Sequence, residues 1–350
     1  MKRLALCLNG WPPQDRALWQ TLTAFGDILN GRGPLSHLRN VSQAAAAASY
    51  GRWLAWLSAS HPGQLPFDPV GRASADLFVE WMGQLGHLKP ASKHSMFSGV
   101  LRILTAADPD NDWSRHRRFE SLLRREIRDT PSTRKDGRIV SSAVLFEAAR
   151  LHDAEHGAGR RPVSLKEAKQ RRDAATVAFL AVMPIRRLAF CSLELGRSLF
   201  VTPTSIVVCL DASGLKSGSY WEAPLPPSLE TIIRGYLQEV RPWLMAQYGE
   251  DHGFLWVNDH GRRFVDQHLG VRMPRITRGL VGTRVSMHLF RDCAATTLAY
   301  ASPESARLTK GLLGHSSFKT AERHYNHARA VEAGRAYGRL IDAFKEDGEP

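Results

Sequence analysis

The sequence predicts a mainly α-helical chain in two parts, an N-terminal helical bundle followed by a mixed α+β domain with a small antiparallel sheet. Three observations predict it. Amphipathic helical patterns recur between residues 42 and 127, a polar stretch with Pro131 and Gly137 interrupts them, and a hairpin-like pattern at 205–225 sits among further helical segments. At 350 residues the chain also exceeds the usual size of one core, so two domains are expected.

Taken in order, residues 1–40 are rich in turn formers, including Gly31, Gly33 and Pro34, with room for one amphipathic helix over Ala17–Leu29. Sequence alone assigns this extension no role. From Ser42 the alanine run has high helix propensity, and Tyr50, Trp53, Leu54 and Leu57 follow on one helical face until Pro62-Gly63 closes it. Leu77, Trp81 and Leu85 mark a second helix. Phe97, Val100, Leu101 and Leu104 mark a third, and Phe119, Leu122, Leu123 and Ile127 a fourth. Four short helices with short connections make a bundle over residues 41–128.

Residues 129–138 offer nothing to anchor a core and are expected to form an exposed basic linker to a second domain at 139–350. There Ser164-Leu165-Lys166-Glu167 has the capping-box pattern and starts a helix reaching Met183. Ile206–Leu210 is strand-like, Asp211-Ala212-Ser213-Gly214 turn-like, and Tyr220–Leu225 a returning strand. Helical patterning resumes at Leu229–Tyr236, and Val331–Phe344 reads as an amphipathic tail helix.

Lys and Arg outnumber Asp and Glu by 47 to 34, a formal charge of +13, which points to a polyanionic partner. Between Asn111 and Arg138 the charges concentrate in Arg115, Arg117, Arg118, Arg124, Arg125, Arg128, Arg134, Lys135 and Arg138. Such a run is either a solvated surface or a set of phosphate contacts. The four cysteines are scattered without metal-ligand spacing and are expected to be reduced thiols. The N-terminal apolar run is too short for a secretory leader and no stretch is long enough to span a bilayer, so a cytoplasmic protein is expected, with no membrane partner.

The chemistry lies toward the C-terminus. His288-Leu289-Phe290-Arg291 is followed by Leu312-Leu313-Gly314-His315 and, ten residues later, Tyr325. Upstream, Arg186 heads a stretch with Leu193 seven residues on, and Lys216 follows the turn of the hairpin. Singly each has an ordinary structural reading, such as a helix C-cap for Gly314-His315. In this order and spacing, over about 160 residues, the chain resembles the tyrosine recombinases, also called the phage integrase family. It departs from the usual pattern in Met183-Pro184-Ile185 before the first arginine and Ala189 after it, so Arg187 stays a rival to Arg186.

The resemblance implies a site-specific recombinase or integrase in which residues 41–128 form the core-binding, DNA-contacting domain and residues 139–350 the catalytic domain. It implies that Tyr325 attacks a DNA phosphorus to give a 3′-phosphotyrosyl link. Arg186, Arg291 and His315 would hold the phosphate, His288 would accept the phenol proton, and Lys216 would protonate the leaving 5′ oxygen. Planar guanidinium forks suit this because negative charge spreads over the phosphate oxygens in the transition state. No cofactor or metal is expected. The implied partners are double-stranded DNA recombination sites, further copies of the chain in a tetramer built by exchange of the tail helix, and accessory DNA-bending proteins. Two other readings remain: a DNA-binding regulatory or architectural protein that does not cut, and a strand transferase like the type IB topoisomerases.

Overall fold

A computed structural model describes residues 5–26, 31–130, 135–211, 220–246 and 251–302, together with 305 and 308. The chain divides into two compact units, Met1–Ser132 and Thr133–Pro350, and the division falls inside the polar 129–138 stretch.

The first unit contains α1 (Pro13–Thr23), α2 (Asn40–Ser60), α3 (Ala75–Gln84), α4 (Pro90–Ala107) and α5 (Ser114–Asp129). Its core is aromatic: Trp53 stacks on Phe78 at 4.4 Å and packs edge-on against Trp81 at 5.3 Å. Residues ahead of position 41 belong to this core, since Trp11, Trp19, Leu22 and Leu35 are buried in it. Leu6 crosses α2 by donating its N–H to the Gly51 carbonyl at 2.9 Å, and a Cβ at position 51 would overlap the Leu6 carbonyl oxygen. Hence glycine stands there. Asp15 on α1 accepts from the Tyr50 hydroxyl at 2.7 Å and from Arg72, all three buried.

The second unit holds α6 (Ser142–Glu155), α7 (Leu165–Val182), α8 (Arg187–Cys191), β1 (Leu199–Val201), β2 (Ile206–Leu210), β3 (Trp221–Pro224), α9 (Pro227–Gly235), α10 (Arg241–Met245), α11 (Asp266–Val281) and α12 (Leu289–Ala301). The sheet is antiparallel in the order β1-β2-β3, with Val208 opposite Leu199 on one side and Ala223 on the other. This is the mainly α chain with a small antiparallel sheet that the sequence predicts. The expected hairpin is β2–β3, and β1, three residues long, adds an unforeseen edge. Ser164 caps α7 by accepting from the Glu167 N–H at 3.2 Å, as its spacing implied. Helix α7 runs through the core, where Phe190 stacks on Trp256 at 4.7 Å and Phe179 meets both edge-on. Among the described residues no helix is long and apolar enough to cross a membrane. The expected tail helix at 331–344 lies outside the described residues.

Candidate functional site

Two of the implied site residues are brought together by the ends of three helices. Helix α7 stops at Met183, and Pro184, lacking an N–H, cannot extend it. The chain passes through buried Ile185 to Arg186, whose extended backbone (φ −67°, ψ 148°) makes it the N-cap of α8. From the other side, Leu289, Phe290 and Cys293 anchor α12 in the core and seat Arg291 in its first turn. Arg291 is 8% exposed and donates through Nη1 to the Pro184 carbonyl at 2.8 Å.

The electrostatics of this arrangement are unusual. Burial, then the like charge of Arg186, push the Arg291 guanidinium down to about 10, opposed by the neighbouring Asp292 carboxylate. It remains a cation at neutral pH. A cation also sits against the dipole at a helix N-terminus, where unpaired N–H groups favour anions. Arg186 is half-buried, and its Nη1 has no hydrogen-bond partner among the described residues. Two guanidiniums and a helix N-terminus thus share one region, an arrangement suited to a phosphate.

Arg187 takes a different course. It is exposed, and its Nη1 lies toward Gly270 of α11, at 3.0 Å from where a Cβ there would stand. The guanidinium whose charge acts on Arg291 is that of Arg186. His288 is the exposed N-cap of α12 rather than a residue within it, three residues ahead of Arg291. Lys216, His315 and Tyr325 lie outside the described residues, as does Arg134.

Sequence reasoning passed over two contributors. Pro184 registers in the sequence only as a departure from the family pattern, yet its carbonyl fixes Arg291. Asp292, next to Arg291, accepts from Lys135 Nζ at 2.6 Å. Three further bonds tie the same stretch to its unit: Arg138 Nε donates to the Arg284 carbonyl at 3.0 Å, Val140 N–H to Cys293 Sγ at 3.4 Å, and Ser142 N–H to Thr297 Oγ1 at 2.9 Å. Lys135 and Arg138, at the end of the expected linker, are thus bonded to the second unit at Asp292 and Arg284.

The remaining basic residues lie on α5. Buried His116 and Leu123 set its inward face. At about 100° per residue, Arg117, Arg118, Arg124, Arg125 and Arg128 fall within an arc of roughly 120° on the opposite side. All five are exposed. Arg124 is partly engaged with His94 and Glu120, and Arg115, outside the arc, pairs with Asp76 at 2.7 Å. Arg117, Arg118, Arg125 and Arg128 have no ion-pair partner among the described residues.

No family model and no curated protein matches the sequence. Solved structures do match. The XerH site-specific recombinase, in a pre-cleavage complex with its difH substrate, is 17% identical with a TM-score of 0.57, over 85% of this chain and 80% of that one. The Tn1549 transposon integrase, in complex with circular intermediate DNA, is 14% identical with a TM-score of 0.55, over 86% of this chain and 95% of that one. Both are tyrosine recombinases, and the fold of this chain is theirs.

Proposed function

We propose that the chain is a tyrosine-type site-specific DNA recombinase that cleaves and rejoins duplex DNA through a covalent bond to Tyr325. The observation that carries the reading is the pairing of Arg186 with Arg291 at the start of α12, within a fold shared with recombinases solved on DNA. Burying one guanidinium beside another costs free energy that an arriving anion offsets, and a scissile phosphate is such an anion.

In this reading Arg186 and Arg291 present N–H forks to the non-bridging oxygens and stabilise the charge that spreads over them during attack. His315 supplies a further donor. The phenol of Tyr325, with an ordinary pKa near 10, attacks phosphorus as His288 accepts its proton. Lys216 protonates the departing 5′ oxygen. The phosphotyrosyl ester conserves the energy of the broken diester, so a 5′ hydroxyl from another strand reseals the DNA without a nucleotide. The outward arginines of α5 contribute contacts to the phosphate backbone, positioning the protein without reading sequence. Recombination requires strand exchange between duplexes, and four protomers joined by exchange of the tail helix would provide it.

A nicked suicide substrate carrying the native recombination site, from which the cleaved strand diffuses away, tests this. Wild type accumulates a denaturant-resistant protein–DNA adduct, while Tyr325→Phe binds the same DNA and forms none. Tight binding by wild type with no adduct would instead make the chain a non-cutting DNA-binding protein. Relaxation of supercoiled plasmid without any paired site would favour a topoisomerase.

A further inference from the structure

A second chemical site lies on α6, away from the arginine pair in sequence and independent of the DNA reading. We propose that His152, Glu155 and His156 bind one divalent transition cation of the zinc type. The three residues follow the spacing i, i+3, i+4 at the end of α6, which puts their side chains on one face. One potential ligand atom from each lies within 4.8 Å of the other two. Ligands about 2.0–2.2 Å from a tetrahedral zinc stand roughly 3.4 Å apart, so small side-chain rotations close the set.

Two further features favour a cation here. The His156 ring bonds through Nδ1 to the His152 carbonyl at 2.7 Å. A carbonyl only accepts, so Nδ1 carries the proton and Nε2 keeps the lone pair that a metal needs; metal-binding histidines are commonly oriented in this way. The place is also a helix C-terminus, with His156 as the C-cap, where unpaired carbonyls favour positive charge. The nearest arginine on the same helix, Arg150, is held in a bidentate pair by Glu147.

The donor set selects the cation. Two imidazoles and one carboxylate suit zinc, nickel, cobalt or copper, whereas magnesium and calcium prefer all-oxygen shells. Three protein ligands leave a position for water. Both histidines are half-buried and Glu155 is exposed, so the site is reachable from solvent.

The test uses the full chain, stripped of metal by chelation and titrated with zinc chloride in a calorimeter, with thermal unfolding followed in parallel. Wild type binds zinc and its Tm rises with zinc concentration, as linkage requires for a ligand of the folded state. The His152→Ala/His156→Ala double variant binds one equivalent fewer and loses the Tm rise. Glu155→Gln keeps both histidines and weakens binding by roughly tenfold or more, the scale on which even outer partners act. His87→Ala, an exposed histidine of the other unit, behaves as wild type. A wild type that takes up no zinc, or a double variant with unchanged stoichiometry and affinity, overturns the proposal.

Discussion

The second unit buries arginines in two contrasting ways. Arg171 and Arg172, 1% and 0% exposed, are wrapped in carboxylates. Arg171 donates to Asp153 at 3.1 Å and Glu239 at 2.5 Å, and Arg172 to Asp173 at 2.9 Å and Asp259 at 2.7 Å. Burial tends to raise the Asp259 carboxyl, but Lys169, Arg172 and Arg272 outweigh it and hold it well below the ordinary carboxylate range. Arg291, by contrast, donates to a neutral carbonyl, and the like charge of Arg186 acts on it against the pull of the neighbouring Asp292. Under the proposed function the difference separates scaffold from site. A cation surrounded by carboxylates is satisfied and holds helices together, whereas a cation beside a cation is held there by the fold, and it gains most from an incoming anion.

Substitutions can sharpen that contrast, from the largest effect to the smallest. Asp153→Ala removes one carboxylate from a buried guanidinium and is expected to destabilise the second unit by about 3–5 kcal/mol, read by denaturant unfolding. Arg291→Ala should do the reverse. Cleavage of the suicide substrate falls by about 100- to 1,000-fold, the usual loss for one transition-state donor, while unfolding moves much less because a like-charge repulsion is relieved. Arg291→Lys does not restore cleavage, since an ammonium lacks the planar fork. If Arg291→Ala unfolds the protein as badly as Asp153→Ala, the two regions are alike and the contrast fails.

Replacing Arg117, Arg118, Arg125 and Arg128 with serine should weaken DNA binding nearly independently of sequence. The slope of log affinity against log salt should become shallower by about 0.9 for every phosphate that is no longer neutralised. An unchanged slope would remove α5 from the interface. Lys135→Ala breaks an ion pair whose lysine side chain is 54% exposed, so stability should change by no more than about 1 kcal/mol.

Much of the architecture is legible in the residues. Helix α4 buries the stripe Phe97, Val100, Leu101 and Leu104, α2 buries Tyr50, Trp53, Leu54 and Leu57, and Ser164 announces α7, because burial and capping are local and periodic signals. The first helix is observed at Pro13–Thr23 rather than 17–29, since Pro13 opens it at a position where no N–H is needed. Strand β1 is too short to show a period, and α6 is hard to see in the sequence because its apolar residues do not keep to one face: Leu145 and Ala149 are buried, whereas Val144 and Leu151 are exposed. Within the site, sequence order named Arg186 and Arg291 together, and the Leu193 spacing preferred Arg186 while leaving Arg187 as a rival. Which of the two acts on Arg291 depends on where the chain turns after Pro184, a tertiary fact. The charge run before residue 138 was equally plain, yet its phase was not: only the fold separates the outward face of α5 from Arg115, Lys135 and Arg138, which are engaged with Asp76, Asp292 and the Arg284 carbonyl.

The proposed chemistry turns on a phenol delivered to a phosphate held by two arginines. Peptide mapping of the trapped protein–DNA adduct by mass spectrometry tests this directly. The expected result is a nucleotide phosphate attached to the peptide containing Tyr325, formed slowly or not at all when Arg186 or Arg291 is replaced by alanine. Attachment to any other residue, or adduct formation at the wild-type rate without both arginines, would contradict it.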